Sequence, residues 1–270
     1  MLPTYRELIQ SSQIERFDAQ VLLLHVLQKN RAWLIAHDDE AATSLEAAQF
    51  SALARRRYDG EPVAYLLGRR EFYGRDFIVN SSVLIPRPDT ELLVELALER
   101  APENGKVIDL GTGSGCIPIT IKLERPDLIV SALDLSGDAL AVAQANAQAL
   151  HADVRLLQSD WFAAVQGEVF DLIVSNPPYI HSDDEHLNQG DLRFEPTGAL
   201  TDGHDGLHHL RSIINAAPAH LQRGACLLLE HGWDQGAACR ELLQAAGFSD
   251  VQTWQDLGRN DRVSGGCWRE

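Results

Sequence analysis

The sequence predicts an α/β fold, a doubly wound and mostly parallel sheet of seven strands that follows a small helical bundle. Two observations support this prediction. From Lys106 onward, short apolar runs typical of strands alternate with helical stretches, and right-handed β-α-β connections between them build a parallel sheet. The first 70 residues, by contrast, carry helical patterns. We therefore expect a helical bundle over residues 1–70, a β-hairpin linker over 71–85 and an α/β domain over 86–270.

The helical bundle is predicted from caps and periodicity. Thr4 and Thr43 are each followed three residues later by glutamate, a capping-box pattern that marks the start of a helix. Residues 19–27 are apolar almost all round, as a central helix of a bundle would be. Residues 71–84 alternate in polarity and contain Gly74, which indicates a β-hairpin.

The α/β domain contains the alternating elements. Its predicted strands cover residues 107–110, 128–133, 154–157, 170–175, 225–230, 251–254 and 263–268. Its predicted helices cover residues 114–124, 136–150, 207–221 and 235–246. We expect the last two strands to form a hairpin at the edge of the sheet.

The composition is that of an ordinary globular protein, with 45% hydrophobic and 23% charged residues. No run approaches the ~18 apolar residues of a membrane span, and residues 1–12 lack the basic and apolar segments of a secretory signal. The four cysteines are scattered without a C-x-x-C pair, which predicts neither a zinc site nor a disulfide framework. We therefore expect a cytoplasmic protein, and a monomer because no long exposed apolar stripe is left over.

The net charge of −16 is unevenly distributed. Residues 1–75 carry ten basic and ten acidic side chains, whereas residues 76–270 carry 13 basic and 29 acidic ones. A field of that sign repels phosphate backbones, which argues against free DNA or RNA as the substrate. Basic contacts are expected instead from the arginines at 55–57 and 69–70, although a solvated helix face is the simpler interpretation of these residues.

A glycine-rich turn with the pattern G-x-G-x-G follows Asp109 and the first predicted strand. Such glycines let the backbone approach a ligand closely. A dinucleotide site would need a third glycine at position 116, which is cysteine. Asp134 ends the second strand, where a carboxylate can accept hydrogen bonds from both hydroxyls of a ribose. After the third strand, Asp160 could accept from an adenine amino group while Trp161 packs on the ring, although Trp161 is equally expected as a core residue.

The most informative motif is Asn176-Pro177-Pro178-Tyr179, directly after the strand over residues 170–175. Open α/β sheets bind their ligands at this end of the strands. The Asn176 side-chain oxygen and the Pro177 carbonyl are two acceptors suited to the two N–H bonds of a planar, conjugated NH2 group. The prolines stiffen the loop, and Tyr179 offers a flat face for stacking. Taken alone, this tetrapeptide could equally be an ordinary proline-rich turn.

The glycine-rich turn, the acidic end of the second strand and the N-P-P-Y motif together resemble S-adenosylmethionine-dependent methyltransferases of class I, which have a Rossmann-like seven-stranded sheet. The resemblance implies S-adenosyl-L-methionine as the cofactor, S-adenosyl-L-homocysteine as the product, and no metal. In this fold N-P-P-Y resembles enzymes that methylate an exocyclic or amide nitrogen. The two main classes act on adenine N6 in DNA and on the side-chain amide of glutamine in proteins.

Further motifs favour the glutamine class. They are I-P-R-P-D-T-E at 85–91, R-F-E-P at 193–196, D-G-L at 205–207, E-H-G-W-D-Q at 230–235 and D-L-G-R-N-D-R at 256–262. With the helical bundle, this array resembles the peptide chain release factor N5-glutamine methyltransferase family (PrmC/HemK) over essentially all 270 residues. The family implies that the substrate is the glutamine of the Gly-Gly-Gln motif in bacterial class 1 release factors, which act in translation termination. It also implies that the N-terminal bundle helps to hold the release factor.

The resemblance assigns roles to individual residues. Asn176 and Pro177 would be catalytic. The substrate would be bound by Asn176, Pro177, Pro178 and Tyr179. The cofactor would be bound by Gly111, Thr112, Gly113, Ser114, Gly115, Asp134, Trp161 and Asn176. No histidine or carboxylate is placed by the sequence to serve as a base, and the chemistry does not require a strong one.

Two alternatives stay open at this point. An adenine-N6 DNA methyltransferase would need base flipping and a basic DNA channel, which the acidic second part argues against. A non-catalytic S-adenosylmethionine-binding module is the alternative from another class, and the intact Asn176 and glycine-rich turn argue against it. The one metal-like cluster contains His204, Asp205, His208 and His209, for which a solvated helix start is the expected explanation.

Overall fold

The computed structural model describes residues 2–269, and its contacts divide the chain into two units. The first unit ends at Arg69 and the second begins at Arg70. The first unit contains the helices α1 (Tyr5–Ser11), α2 (Arg16–Leu27), α3 (Arg31–His37), α4 (Ser44–Tyr58) and α5 (Val63–Leu67). Within residues 2–269, no helix combines the length and the apolar character that crossing a membrane requires.

Both predicted capping boxes open helices of the first unit. The Thr4 hydroxyl accepts from the Glu7 N–H at 3.2 Å, and the Glu7 carboxylate accepts from the Thr4 N–H at 2.8 Å. Thr43 makes the same reciprocal pair at the start of α4. Leu22 and Leu23 of α2 are fully buried and pack in one hydrophobic cluster with Phe50 of α4. The apolar faces of these helices thus form a small hydrophobic core within this unit.

The second unit alternates strands and helices. Its strands are β1 (Arg69–Phe72, which starts at the unit boundary), β2 (Arg75–Ile78), β3 (Lys106–Leu110), β4 (Ile129–Asp134), β5 (Arg155–Gln158), β6 (Phe170–Ser175), β7 (Leu221–Glu230), β8 (Ser249–Gln255) and β9 (Asp261–Cys267). Its helices are α6 (Glu91–Arg100), α7 (Cys116–Glu124), α8 (Gly137–Ala149), α9 (Thr197–Leu200), α10 (His208–Ala216) and α11 (Gly236–Ala245).

The predicted seven-stranded sheet is confirmed. Its strand order is β5-β4-β3-β6-β7-β9-β8, and β1 pairs with β2 in a separate hairpin. The strands β3 to β7 run parallel to one another, whereas β9 runs antiparallel to both β7 and β8. The chain leaves β3 for β4 on one side and later returns to β6 on the other. This reversal opens a crevice at the carboxyl ends of β3 and β6, where such sheets bind ligands.

Several elements differ from the sequence-based expectation, among them the short helix α9, which was not predicted. Helix α6 was not predicted, although Glu91–Arg100 carries four buried apolar residues against the sheet. The single helix expected over residues 207–221 ends at Ala216 and continues as a short 3-10 turn, Ala217–His220. Pro218 explains this change, because proline lacks the N–H that a longer α-helix would use. Strand β7 then begins at Leu221.

A disulfide joins Cys226 and Cys267, so the expectation that the cysteines form no disulfide was wrong for this pair. The two residues face each other on the antiparallel neighbours β7 and β9. They are 41 residues apart in the chain, and no local spacing pattern points to the pair. Only the register of the sheet brings them together. Cys116 and Cys239 are free and buried.

Asn146 connects the hairpin to the ligand end of the sheet. This fully buried residue of α8 accepts from the Ile78 N–H at 2.6 Å and donates to the Ile78 carbonyl at 3.0 Å. It also donates to the carbonyl of Ser114, in the glycine-rich turn, at 2.9 Å. The side-chain amide therefore satisfies polar groups on two segments at once, and it fixes one side of the candidate site.

Candidate active site

A cavity of about 480 Å³ opens at the carboxyl ends of β3, β4 and β6. Most of the residues predicted for a site line it, namely Gly111, Thr112, Gly113, Ser114, Asp134, Asp160, Trp161, Asn176 and Pro178. Gly115, Pro177 and Tyr179 are not among the lining residues. The cavity volume falls in the range of small-molecule and cofactor sites, about 300–1,000 Å³.

The glycine loop, residues 111–115, is held in place by main-chain hydrogen bonds. The N–H groups of Gly111 and Thr112 both donate to the Leu133 carbonyl, at 2.8 and 2.9 Å. Gly111, Gly113 and Gly115 all have positive φ, a conformation that side chains disfavour. A Cβ on Gly115 would lie 2.9 Å from Ile119 Cδ1 and 3.1 Å from Ala143 Cβ, so this glycine allows close packing of α7 and α8 behind the cavity.

Asp134 connects the glycine loop to the next turn. One carboxylate oxygen accepts from the Gly113 N–H at 2.8 Å, and the other accepts from the Ser136 N–H at 2.9 Å. Each oxygen keeps lone-pair capacity for a further donor. The carboxylate is thus held in one orientation at the cavity wall, and it can still accept a ligand hydroxyl.

Trp161 closes another side of the cavity. Its φ is +44°, an unusual value for a bulky residue, and the Ser159 hydroxyl donates to its carbonyl at 2.7 Å. The indole ring lies over the glycine loop, because a Cβ on Gly111 would be 3.7 Å from it. The His209 ring lies against the indole with centroids 5.2 Å apart. The resulting wall is flat and aromatic, with Asp160 beside it.

Two polar atoms at the cavity have no hydrogen-bond partner in the described part of the protein. They are Nδ1 of His209 and Oγ1 of Thr112, and both are buried, but the Thr112 hydroxyl lies near the Asp109 carboxyl, so His209 is the clearer case. Burial lowers the pKa of His209, which keeps its imidazole neutral. Buried polar groups of this kind are normally satisfied, so unpartnered ones that line a cavity point to a ligand.

Asp109 is fully buried behind the glycine loop. Burial raises the pKa of its carboxyl to about 7, the nearby Thr112 hydroxyl opposes the rise, and the charge of Asp134 adds to it. Neither carboxyl oxygen makes a regular hydrogen bond within residues 2–269. The carboxyl is therefore near the midpoint of its titration at neutral pH.

The N-P-P-Y loop, residues 176–179, begins where β6 ends. Asn176 Nδ2 donates to Thr90 Oγ1 at 3.3 Å. Pro177 is buried, whereas Pro178 reaches the cavity wall. Tyr179 is half-buried as a residue, and burial of its hydroxyl raises the pKa of that group.

Distant segments hold the N-P-P-Y loop from outside. Gln235 Nε2 donates to the Tyr179 carbonyl at 2.9 Å and to the Gly206 carbonyl at 3.2 Å. Gly206 has a φ of +75°, and a Cβ there would lie 2.4 Å from the Tyr179 carbonyl oxygen. The Ile180 N–H donates to the Leu200 carbonyl at 3.0 Å. These contacts bring three of the motifs that carried the resemblance to one place.

A buried ion pair joins two more of these motifs. Arg87 of I-P-R-P-D-T-E pairs with Glu195 of R-F-E-P, whose side chain is fully enclosed. The second Glu195 oxygen accepts from the Ile85 N–H at 3.0 Å. Burial raises the pKa of Glu195, and the charge of Arg87 opposes that rise. The pair fixes the two segments that supply Pro86 and Pro196 to the cavity wall.

The histidine cluster behaves as the start of a helix. Asp202 accepts from the N–H groups of His204, Gly206 and His208 at 2.8, 3.1 and 2.8 Å. Partial burial opposes charge on Asp202, but these three donors outweigh it and lower its pKa. Within residues 2–269, no group of three or more histidine, cysteine or acidic side chains is arranged to hold a metal ion. His209 lines the cavity.

Several lining residues were not predicted from the sequence: Thr90, Pro196, Gly198, Ala199 and His209. They lie on separate segments that only the fold brings together. The one available signal was that Thr90 and Pro196 belong to motifs without an assigned role. Nothing in the local sequence distinguishes His209 from its neighbour His208.

The residues of the cavity fit S-adenosylmethionine. The glycine loop lets the backbone approach a ligand, Asp134 offers a fixed carboxylate, and Trp161 offers a flat face. The unpartnered Nδ1 of His209 provides one more site for a hydrogen bond. The site therefore combines an apolar face for a ring with acceptors for hydroxyl and amino groups.

Comparison with known proteins gives matches along nearly the whole chain. Residues 4–68 match the PrmC N-terminal domain, and residues 88–193 match the methyltransferase small domain. The release factor glutamine methyltransferase of Bordetella pertussis is 50% identical over 97% of this chain and 98% of its own length. That of Xylella fastidiosa (strain Temecula1) is 52% identical over 95% and 94%. The Escherichia coli K12 protein of the same name is 46% identical over 95% and 93%.

Solved structures share the fold at low sequence identity. A methyltransferase from Pyrococcus furiosus superposes with a TM-score of 0.58 at 17% identity, over 82% of this chain and 100% of its own. A Thermus thermophilus 16S rRNA N2 G1207 methyltransferase, solved in complex with AdoMet and guanosine, gives 0.54 at 21% identity, over 74% and 50%. These likenesses support the methyltransferase fold alone.

Proposed function

The chain belongs to the release factor glutamine methyltransferase family, and we propose that it methylates a glutamine of a release factor. The proposed acceptor is the side-chain amide nitrogen, N5, of the glutamine in the Gly-Gly-Gln motif of bacterial class 1 factors. The observation that carries this proposal is that Asn176 and Pro178 share the wall of one cavity with the glycine loop. An amide held at the N-P-P-Y loop would therefore lie beside the cofactor.

The glycine loop and its surroundings would hold the cofactor. Gly111, Thr112, Gly113, Ser114 and Gly115 form a turn that a ligand can approach closely. Asp134 would accept the ribose hydroxyls, Asp160 the adenine amino group, and Trp161 would pack on the ring. Asn176 would contact both ligands. When bound, S-adenosylmethionine supplies a methyl group that its sulfonium charge has already activated.

The N-P-P-Y loop would hold the amide. The Asn176 side-chain oxygen and the Pro177 carbonyl would each accept one N–H of the glutamine, which turns the face of the nitrogen toward the methyl group. Pro178 and Tyr179 would pack against the amide plane. Positioning of this kind can supply up to about 7–11 kcal/mol of the barrier. Acceptors aimed at charge that develops on nitrogen add to it.

The helical bundle, residues 1–70, would recognise the body of the release factor. The match of residues 4–68 to the PrmC N-terminal domain supports this assignment. The hairpin over residues 71–85 would be the link to the methyltransferase domain, residues 86–270. The even charge of the first part suits a protein surface better than the excess of acidic side chains in the second.

We further propose that the protein acts as a monomer in the cytoplasm, without a metal and without DNA or a membrane as a partner. The net charge of −16 supports the exclusion of DNA, because a nucleic-acid partner would be repelled. The monomer is proposed because the sequence shows no long exposed apolar stripe that a second copy could cover.

The test is methyl transfer from labelled S-adenosylmethionine to a purified bacterial class 1 release factor. Parallel reactions contain the factor with its Gly-Gly-Gln glutamine changed to alanine, and a duplex DNA. Label on the unmodified factor alone is the expected result. Label on the DNA would move the assignment to adenine-N6 methylation. Cofactor binding without label on any substrate would leave a non-catalytic binding module.

A further inference from the structure

A short chain of polar side chains lies beneath the N-P-P-Y loop. Its first contact is the hydrogen bond from Asn176 Nδ2 to Thr90 Oγ1, at 3.3 Å. Thr90 is 2% exposed and ends the 3-10 turn that precedes α6. The asparagine amide is therefore anchored to a buried hydroxyl from another segment, 86 residues away in the chain.

Glu230 lies beside the N-P-P-Y loop, because Ser175 of β6 pairs with Leu229 of β7 and the next residues on the two strands are Asn176 and Glu230. This glutamate ends β7 and is 1% exposed, and its Oε2 has no hydrogen-bond partner in the described residues. The hydroxyls of Thr90 and Tyr179 are near enough to lower the pKa of its carboxyl. A buried carboxyl oxygen without a partner is costly, and a hydroxyl can rotate its proton toward it.

The Thr90 hydroxyl has one proton, so it can donate to only one of its two neighbours. The hydrogen bonds among Asn176, Thr90 and Glu230 therefore all run in the same direction. An ionised Glu230 can only accept, and the Thr90 proton then points toward it. The lone pairs of Thr90 are left to face Asn176, and they can accept only from Nδ2. The Asn176 oxygen is thereby left for the cavity.

We propose that Glu230, acting through Thr90, is a positioning residue that fixes the Asn176 amide with its oxygen toward the substrate nitrogen. The inference rests on the proposed function of the N-P-P-Y loop. The two ends of an asparagine amide have nearly the same shape, so packing alone does not choose between them. A flipped amide would set its own NH2 against the NH2 of the substrate, and the acceptor would be lost.

Burial and the nearby charged groups together set the pKa of Glu230. Arg262 is close enough to lower the pKa of Glu230, and it also pairs with Asp256 at 3.1 Å and with Asp89 at 3.4 Å. The charge of Asp89 acts in the opposite sense. Burial is the largest effect, and it raises the pKa of Glu230 to about 7.

A pH dependence follows from this balance. Glu230 is protonated below its pKa and can then donate to Thr90, which reverses the direction of the chain and releases the amide. We expect kcat for methyl transfer to fall as the pH is lowered through about 7, and to level off above it. Cofactor binding should not follow the same curve, because the amide flip leaves the glycine loop unchanged.

The test uses three single variants of the full-length protein and one double variant. Glu230→Gln keeps the shape but can donate, and Thr90→Val removes the hydroxyl. We expect each to lower kcat by about 10- to 100-fold while the KM for the release factor and the Kd for S-adenosylmethionine change less than about threefold. The acid limb of kcat should be absent from Glu230→Gln. Thr90→Ser keeps the hydroxyl and should recover most of the lost rate.

The double variant distinguishes Glu230 acting through Thr90 from two residues that act independently. If Glu230 acts through Thr90, then Glu230→Gln combined with Thr90→Val should lose no more than either change alone. Multiplying losses would overturn the proposal, as would a wild-type kcat that is flat between about pH 5.5 and pH 8. Thermal melting of each variant shows whether it is folded. The wild-type pH profile and Thr90→Ser decide the question even if Glu230→Gln does not fold.

Failure of the proposed function gives a different result. A wild-type protein that transfers no label to the release factor overturns the function itself, before any variant is compared. An active wild type whose rate is insensitive to Thr90→Val overturns only the role of Glu230 and Thr90.

Discussion

The glycine loop and the N-P-P-Y loop border the same cavity, but they are held in place by different means. The glycine loop is held by hydrogen bonds to the Leu133 carbonyl and to the Asp134 carboxylate, the latter 21 residues after Gly113. The N-P-P-Y loop depends on side chains far away, Thr90 at a separation of 86 residues and Gln235 at 56. One loop is a local structure, and the other is supported by the fold.

Each loop also has a buried carboxyl behind it. Asp109 lies behind the glycine loop and Glu230 behind the N-P-P-Y loop, and burial raises the pKa of each to about 7. Their surroundings differ, because Glu230 has Arg262 and two hydroxyls nearby whereas Asp109 has mainly Thr112. We infer that Glu230 acts on the N-P-P-Y loop through the hydroxyls beside it, while Asp109 mainly makes the stability of the fold depend on pH.

The largest expected effect is on the N-P-P-Y loop. Asn176→Ala removes the proposed acceptor of the substrate amide, and we expect kcat to fall on the order of 10³-fold. The Kd for S-adenosylmethionine should rise less than about tenfold, because the contacts proposed for the glycine loop are unchanged. Single-turnover methyl transfer and calorimetric binding would measure the two effects separately.

Asn215→Ala is the matched control, since Asn215 is exposed on α10. It should leave both quantities near the wild-type values. Equal losses of kcat and cofactor affinity in Asn176→Ala would contradict the division of labour between the two loops.

The next effect concerns the carboxyl behind the glycine loop. The pKa of Asp109 is raised from 3.8 to about 7 in the folded protein, so its protonated form stabilises the fold below about pH 4. That stabilisation is lost as the pH rises through about 7, up to about 4 kcal/mol in all. Asp109→Asn cannot titrate, so the difference in unfolding free energy between wild type and variant should change by that amount between about pH 4 and pH 8.

Chemical denaturation at several pH values would check this. Any constant cost of the asparagine cancels, because only the change with pH is compared. A difference that does not vary with pH would show that Asp109 is not the titrating group.

The contrast between the two loops explains which site residues could be predicted from the sequence. The glycine loop, Asp134 and the N-P-P-Y motif can be identified from the local sequence, because each lies at the carboxyl end of a predicted strand. Thr90, Glu230 and Gln235 have no such signal, since their partners are set by the register of distant strands. The same reason hid the disulfide between Cys226 and Cys267.

Secondary structure shows the same limit. The strand over residues 170–175 was predicted with its observed bounds, because its apolar run ends abruptly at the N-P-P-Y loop. Helix α6 was not predicted, although it begins at the last residue of I-P-R-P-D-T-E, because only the position of the sheet shows which of its apolar residues form the buried side. The end of α10 was placed too late, where Pro218 converts it to a 3-10 turn.

A third prediction tests the remote support of the N-P-P-Y loop. Gly206 and Gly203 have nearly the same φ, +75° and +73°, so an alanine is equally strained at either position. Only at Gly206 would the new Cβ meet other atoms, the Tyr179 carbonyl oxygen at 2.4 Å and Gln235 Nε2 at 2.8 Å. We expect Gly206→Ala to displace the loop and lower kcat by about 100-fold.

Gly203→Ala is the matched control, with nothing within 4 Å of its Cβ. Its kcat should stay within about threefold of the wild type. If both alanines lower kcat alike, backbone strain in this segment matters, and the contact with the Tyr179 carbonyl does not.

The smallest effect is expected at the back of the glycine loop, where Gly115 allows close packing of α7 and α8. Gly115→Ala and Gly167→Ala share the same strain, with φ of +80° and +79°, but only the Gly115 Cβ would overlap neighbours, Ile119 Cδ1 at 2.9 Å and Ala143 Cβ at 3.1 Å. We expect Gly115→Ala to unfold at a free energy about 2 kcal/mol lower than Gly167→Ala. Cofactor affinity should weaken with it, since α7 and α8 carry the turns on either side of the cavity. Similar melting curves for the two variants would mean that α7 and α8 can separate freely, and the glycine loop would then be less rigid than its main-chain hydrogen bonds indicate.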